Sequence, residues 1–263
     1  MIRFEVFGDF FSKWGDLIFA GIVTTLILSF VGTFIGLILG IPLAYGKMIK
    51  INTYDTKLIK VSKGFIKGLC NIYSTVLRGT PMMVQALIFK FGCQALGINW
   101  GNIIFPSQIS NVLNGWFFAG LIVITLNTAA YMGEVIISGI NGVDVGQLEG
   151  AKSLGISGKR ASISIILPQA IRNSLPTIGN ELIINIKDSS VLNVIAVTEL
   201  YYRLISIAST TYAFLEAYII LAIIYLIMTL LTSFILKLIE KKLDGKKISL
   251  NPFGRYFRGR AHA

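Results

Sequence analysis

Residues 17–44 read LIFAGIVTTLILSFVGTFIGLILGIPLA, 28 consecutive positions without a charge. As a helix rising 1.5 Å per residue, this run is about 40 Å long, enough to cross a hydrocarbon layer of about 30 Å with some tilt. Lipid offers the backbone no hydrogen-bond partner, so a crossing segment must satisfy its own amides as a helix. Gly32, Gly36 and Gly40 recur every fourth residue within the run, giving a ridge of small residues that lets a second helix approach closely.

Four further apolar segments follow. The second, about 81–96, is short and interrupted by Gln85 and Lys90. The third covers about 116–140. The fourth, about 175–197, is the least hydrophobic and holds Glu181, Lys187 and Asp188. The fifth runs from about 214 to 236 with Glu216 near its start. The chain is 54% hydrophobic and 14% charged, with a mean hydropathy of +0.72. Soluble domains carry roughly 25% charge. The expected fold is therefore an all-α integral membrane protein: one transmembrane domain over 1–263, with five transmembrane helices.

The net charge of +11 does not point to nucleic acid, because the basic residues lie between apolar runs. Membrane lipid is the better partner. Seven basic residues fall in 47–78, four in 141–172 and eight from Lys237 on, which is 19 of the 24, while 97–115 has none. Positive loops stay inside, so the N-terminus is expected outside and the C-terminus in the cytoplasm. The charges of residues 1–17 do not fit a secretory signal. Trp14, Trp100 and Trp116 fall near outer span ends, as an interfacial belt would. Lys90 is expected to snorkel to the outer surface.

Several chemistries are excluded. Cys70 and Cys93 are the only cysteines and, across mostly helical chain, would lie about 30 Å or more apart, out of disulfide reach. The sole histidine is His262. No metal-ligand cluster, catalytic histidine or Gly-x-x-x-x-Gly-Lys-[Ser/Thr] phosphate loop occurs. An enzyme is not expected, and no cofactor is expected in the chain.

The connection 141–172 carries the clearest motif. Asp144 with Gln147 three residues later resembles a capping box, and Val145, Leu148, Ala151 and Leu154 make an apolar stripe. Gly155 fits a helix stop, and a second short helix after Ser157 should break or kink at Pro168. A short amphipathic helix in the cytoplasm follows, packed on its own bundle or the membrane, or docked on a partner.

Glu149-Gly150-Ala151, three residues, Gly155, nine residues, then Ile165-Ile166-Leu167-Pro168 resembles the loop signature of bacterial binding-protein-dependent ABC importer permeases, with Gly150 in place of the central alanine. Arg78-Gly79-Thr80-Pro81 through Gln85, Ala130 to Glu134, and Lys187-Asp188-Ser189-Ser190 are similar to elements of the polar amino acid permeases. The resemblance implies a second permease, a copy or a relative, together with two ABC ATPase subunits that hold the ATP and Mg, and an extracytoplasmic amino acid-binding protein, all at the bacterial cell membrane. It assigns Glu149, Gly150, Ala151, Gly155, Leu167 and Pro168 to ATPase coupling.

Ionisable groups at membrane depth invite a pathway reading. A zwitterionic amino acid needs a cation for its carboxylate and an acceptor for its ammonium. Glu134, Lys187 and Asp188 offer both signs, and Gln85, Asn127, Ser189 and Ser190 add hydrogen bonds. The alternative is structural: a buried Lys187–Asp188 pair, or a Glu134–Arg78 pair holding helices together, with Arg78 in a structural or gating place. The rival to a transporter is a scaffold or receptor that docks a cytoplasmic partner through the same loop. The polar content of the fourth span argues against it.

Overall fold

The computed structural model describes residues 4–103, 105–106, 110 and 112–244. The basic tail beyond Asp244 lies outside them. Nine α-helices are found among the described residues: α1 (Phe4–Met48), α2 (Lys57–Gly79), α3 (Met82–Ala95), α4 (Gly115–Asn141), α5 (Val145–Ser153), α6 (Gly158–Ala161), α7 (Leu167–Asp188), α8 (Leu200–Thr211) and α9 (Phe214–Asp244). Three are long and apolar enough to cross a membrane: Phe10–Met48, Gly115–Asn141 and Phe214–Lys242. The segments Ser162–Ile195 and Leu200–Thr211 pass together as a pair bent by 54°.

Helices α1 and α4 run parallel and form the most extensive contact of the bundle. The glycine ridge makes it: a Cβ on Gly32, Gly36 or Gly40 would stand 2.7, 2.9 or 2.6 Å from side-chain atoms of Ile124, Thr128 or Met132. Backbones approach closely where nothing projects between them, as membrane helices do when lipid supplies no hydrophobic drive. One apolar core joins α1 to α8 and α9 through Phe10, Ile18, Leu204 and Ile220. Another joins α1 and α4 to α3 through Leu28, Ile124, Ala86 and Leu192. The outer face of α9 shows the reverse pattern, with Leu226, Leu230, Leu231 and Phe234 all more than half exposed. Apolar side chains turned outward on a helix with a packed inner face suit a lipid solvent.

The connections depart from the sequence reading in three places. First, most of the stretch 47–78, read as a loop, is the 23-residue helix α2, and the span placed at 81–96 is only the 14-residue α3. Thr80 between them is extended (φ −121°, ψ 146°), as the residue before a proline prefers. Hydropathy missed α2 because its lysines offset its apolar face. Second, the fourth span does not run straight over 175–197. α7 ends at Asp188, and Ser189–Ile195 tightens into a 3-10 turn closed by left-handed Ala196 (φ 69°). The chain then enters α8, which lies in the stretch between the fourth and fifth apolar segments. Third, the irregularity expected at Pro168 falls just before it, as a π-helical turn Ser162–Ile166 in which Leu167 N–H donates to Ser162, and Pro168 sits in the first turn of α7, where its missing N–H is least needed.

Candidate functional site

Two regions gather the residues singled out by sequence. The first is α5, at the end of the bundle where α4 closes. Asp144 caps its start, its carboxylate accepting from Gly146 N–H at 2.8 Å. The expected box with Gln147 takes a simpler form, because Gln147 N–H donates to the Asp144 carbonyl at 3.0 Å. The far end is a Schellman closure: Gly155 N–H donates to Lys152 and Ile156 N–H to Ala151, at 2.9 and 3.0 Å. Gly155 has φ +75°, which a residue with a Cβ adopts only under strain. The helix is thus fixed at both ends.

Only the inner half of the apolar stripe of α5, Leu148 and Ala151, is turned toward its own bundle. Ala151 is buried, but Val145 is 68% and Leu154 81% exposed, and Glu149 and Gly150 also face outward. A Cβ on Gly150 would meet nothing within 4 Å, so glycine there answers no crowding in this chain. Leu167 and Pro168 are exposed beyond the π turn. A rigid helix with outward apolar and acidic groups at a bundle end is suited to docking on a partner.

The second region is a polar seam inside the bundle. Glu134 on α4 accepts from Lys47 on α1, from Arg78 Nη1 at 3.0 Å and from Ser74 Oγ at 3.1 Å on α2. Arg78 also lies over the Tyr131 ring, 5.6 Å from its centroid. The Glu134–Arg78 pair is therefore present, but Lys47, counted in the sequence reading as a loop charge, is part of it. Two cations on one carboxylate leave the cluster with a net positive charge, and its charged groups are only partly buried.

Seven residues before Glu134 on α4, Asn127 donates to Gln85 Oε1 at 3.0 Å. Gln85 donates in turn to the carbonyls of Leu77 and Thr80 at 2.8 and 2.9 Å. Those carbonyls are left free where α2 stops, so Gln85 seals the α2–α3 break. Between α4 and α7 a cleft of about 420 Å³ is lined by Glu134, Ser138, Asn173, Ser174 and Thr177 among others.

Lys187 and Asp188 end α7. Lys187 is exposed and forms no ion pair among the described residues, while Asp188 is half-buried. Ser189 and Ser190 turn their hydroxyls back on the carbonyls of Ile186 and Lys187, at 2.9 and 2.7 Å. Lys90 stacks its ammonium over Trp116, 5.1 Å from the ring centroid.

Sequence reasoning missed two buried polar nodes. Asn185 donates to Thr33 and Thr128 at 2.8 and 3.0 Å, tying α7 to α1 and α4. Glu199, wholly buried, accepts from the N–H groups of Tyr201 and Tyr202, both at 2.9 Å, from Tyr225 at 2.8 Å, and from Thr25 at 3.5 Å. A helix-start signal was available in Thr198-Glu199 before the apolar pattern of α8.

Residues 58–245 match the family of binding-protein-dependent transport system inner membrane components. The arginine transport system permease protein of Bacillus subtilis is 37% identical over 86% of this chain and 92% of its own. The nopaline transport system permease protein of Agrobacterium fabrum is 32% identical over 84% and 85%. Among solved structures, an amino acid ABC transporter with histidines superposes with a TM-score of 0.76 at 35% identity, over 92% of this chain and 99% of that one. The inward-facing methionine ABC transporter MetNI, at 16% identity and a TM-score of 0.64, shares the fold.

Proposed function

Because the chain belongs to the family of binding-protein-dependent transport system inner membrane components, we propose that it is the permease of an ATP-driven importer for a polar amino acid. The relatives named for arginine and nopaline transport, and the amino acid transporter of like fold, support that substrate class. In this reading the chain pairs with a second permease, receives substrate from an extracytoplasmic binding protein and uses ATPase subunits that hold ATP and Mg. The chain itself contributes no cofactor.

Five crossings are counted as α1, the broken pair α2–α3, α4, the bent run from α6 to α8, and α9. The N-terminus lies outside and the C-terminus in the cytoplasm. This places α5 in the cytoplasm, where Glu149, Gly150, Ala151 and Gly155 meet the ATPase and Leu167-Pro168 carry its movement into α7. Glu134, Lys187 and Asp188, with Gln85, Asn127, Ser189 and Ser190, line the substrate path, and Arg78 steadies Glu134. The cations suit a substrate carboxylate and the acids its ammonium.

The observation that carries this reading is α5: a helix closed at both ends whose apolar and acidic side chains are left outward. Docking transmits force only if that element is stiff. Gly155→Val should strain the closure by roughly 1–2 kcal/mol, and Glu149→Ala should remove a polar contact at the interface. Both variants should stay folded in the membrane yet lose ATPase co-purification or transport in vesicles. Full association and full transport in both would remove α5 as the coupling element.

A further inference from the structure

The connection between α1 and α2 and the first turns of α2 hold five lysines, Lys50, Lys57, Lys60, Lys63 and Lys67, against a single acid, Asp55. The last four are spaced by three, three and four residues. At about 100° per residue they fall in one stripe roughly a third of the helix wide.

Two of them are spent within the chain. Lys63 pairs with Asp55 at 2.7 Å, and Lys60 donates to the Thr53 carbonyl at 2.8 Å. The Lys63 ammonium holds the Asp55 carboxyl below its ordinary range. The one local anion is thereby used up, and Lys50, Lys57 and Lys67 have no partner among the described residues. On the other face of the same turns Leu58, Val61 and Phe65 are 78%, 69% and 66% exposed. The same apolar face continues along the helix through Leu69, Ile72 and Val76, each more than half exposed.

An apolar face along α2, with lysines on the other face of its first turns, matches an amphipathic helix at the edge of a lipid leaflet. Hydrocarbon meets the apolar side chains, and the phosphates meet ammonium groups carried on flexible apolar stems. A water-soluble protein docked on the lysines would leave the continuing apolar face uncovered. We propose that this corner is a binding site for anionic phospholipid headgroups of the cytoplasmic leaflet. The assignment rests on the orientation proposed above, with the α1–α2 connection in the cytoplasm.

The test is a titration of the purified permease–ATPase complex with short-chain phosphatidylglycerol or phosphatidylcholine, read as lipids retained per permease by native mass spectrometry. The complex should retain phosphatidylglycerol in preference to phosphatidylcholine. If each lysine supplies about a factor of five, Lys50→Gln/Lys57→Gln/Lys67→Gln should weaken that retention about a hundredfold. The same neutralisation at Lys152 and Arg160 should leave it unchanged. These surface changes disturb no contact on which folding depends. Equal retention by the triple variant would overturn the proposal. So would loss of the ATPase with lipid retention intact, which would mark a protein-docking face. No substrate enters the assay, so a failed amino acid transport measurement would count against the transport reading alone.

Discussion

Glu199 joins three helices through one carboxylate: it caps α8, takes the Tyr225 hydroxyl of α9 and reaches Thr25 of α1. Its removal would leave two amide donors and a phenol buried without acceptors. Unsatisfied buried groups cost about 1–3 kcal/mol each before relaxation. Glu199→Ala should therefore lower the thermal unfolding midpoint of the detergent-solubilised permease by several degrees. Glu199→Gln, which keeps one acceptor oxygen, should lose about half as much. Equal midpoints for wild type and the alanine variant would show that the node is dispensable. Lys187 and Asp188 belong to another class, since neither is locked into a described ion pair. Lys187→Ala or Asp188→Ala should reduce uptake in proteoliposomes while leaving expression and ATPase association intact. Normal uptake in either variant would take that residue out of the path.

At the scale of elements, the ridge glycines on α1 and Gly150 on α5 call for opposite outcomes. A Cβ on Gly36 would press on Thr128 at 2.9 Å and on the Ala129 amide at 3.3 Å. Thr128 cannot swing aside freely, because it is bonded to Asn185. Gly36→Ala should cost about 1–3 kcal/mol by overpacking, measured as loss of folded permease after mild heating. Gly150 stands in open space, and alanine there is worth up to about 1 kcal/mol of helix. Gly150→Ala should leave ATPase association at least as strong as in wild type, and weaker association would mean that the partner itself needs the glycine. The ridge was legible because a four-residue repeat in an uncharged helix fixes one face. α2 was not, because hydropathy averages its lysines with its apolar side chains, whereas the folded helix separates them onto different faces.

Across the whole molecule, orientation decides which end meets the ATPase. With Cys70 and Cys93 first replaced by serine, a cysteine at Leu96, 80% exposed beyond α3, should react with an impermeant maleimide from outside intact cells. A cysteine at Lys152 on α5 should react only after the membrane is opened. Labelling of both from one side would overturn the five-crossing arrangement. The basic residues keep their asymmetry in the folded bundle, with two of them drawn inward. Lys47 and Arg78 belong to the Glu134 cluster inside the bundle, yet Lys50, Lys57, Lys60, Lys63 and Lys67 still gather at the end from which α2 starts.

What the sequence by itself determined was everything that depends on runs and repeats. The uncharged 28-residue stretch required a membrane helix, the glycine ridge required a close neighbour, and Asp144 and Gly155 marked the two ends of the α5 helix. These are local consequences of transfer energy, backbone sterics and capping, and they need no knowledge of what lies across the bundle. Only the tertiary structure decided how the polar residues pair. Lys47 and Glu134 lie 87 positions apart, and Thr25 and Glu199 lie 174 apart. A buried polar group must find a partner wherever packing brings one within reach, and packing is a property of the whole bundle. The α7–α8 bend follows the same logic. Its left-handed Ala196 is tolerable because Leu192, Ile195 and Val197 are fully buried around it, so packing holds in place a turn that local propensity alone would not choose.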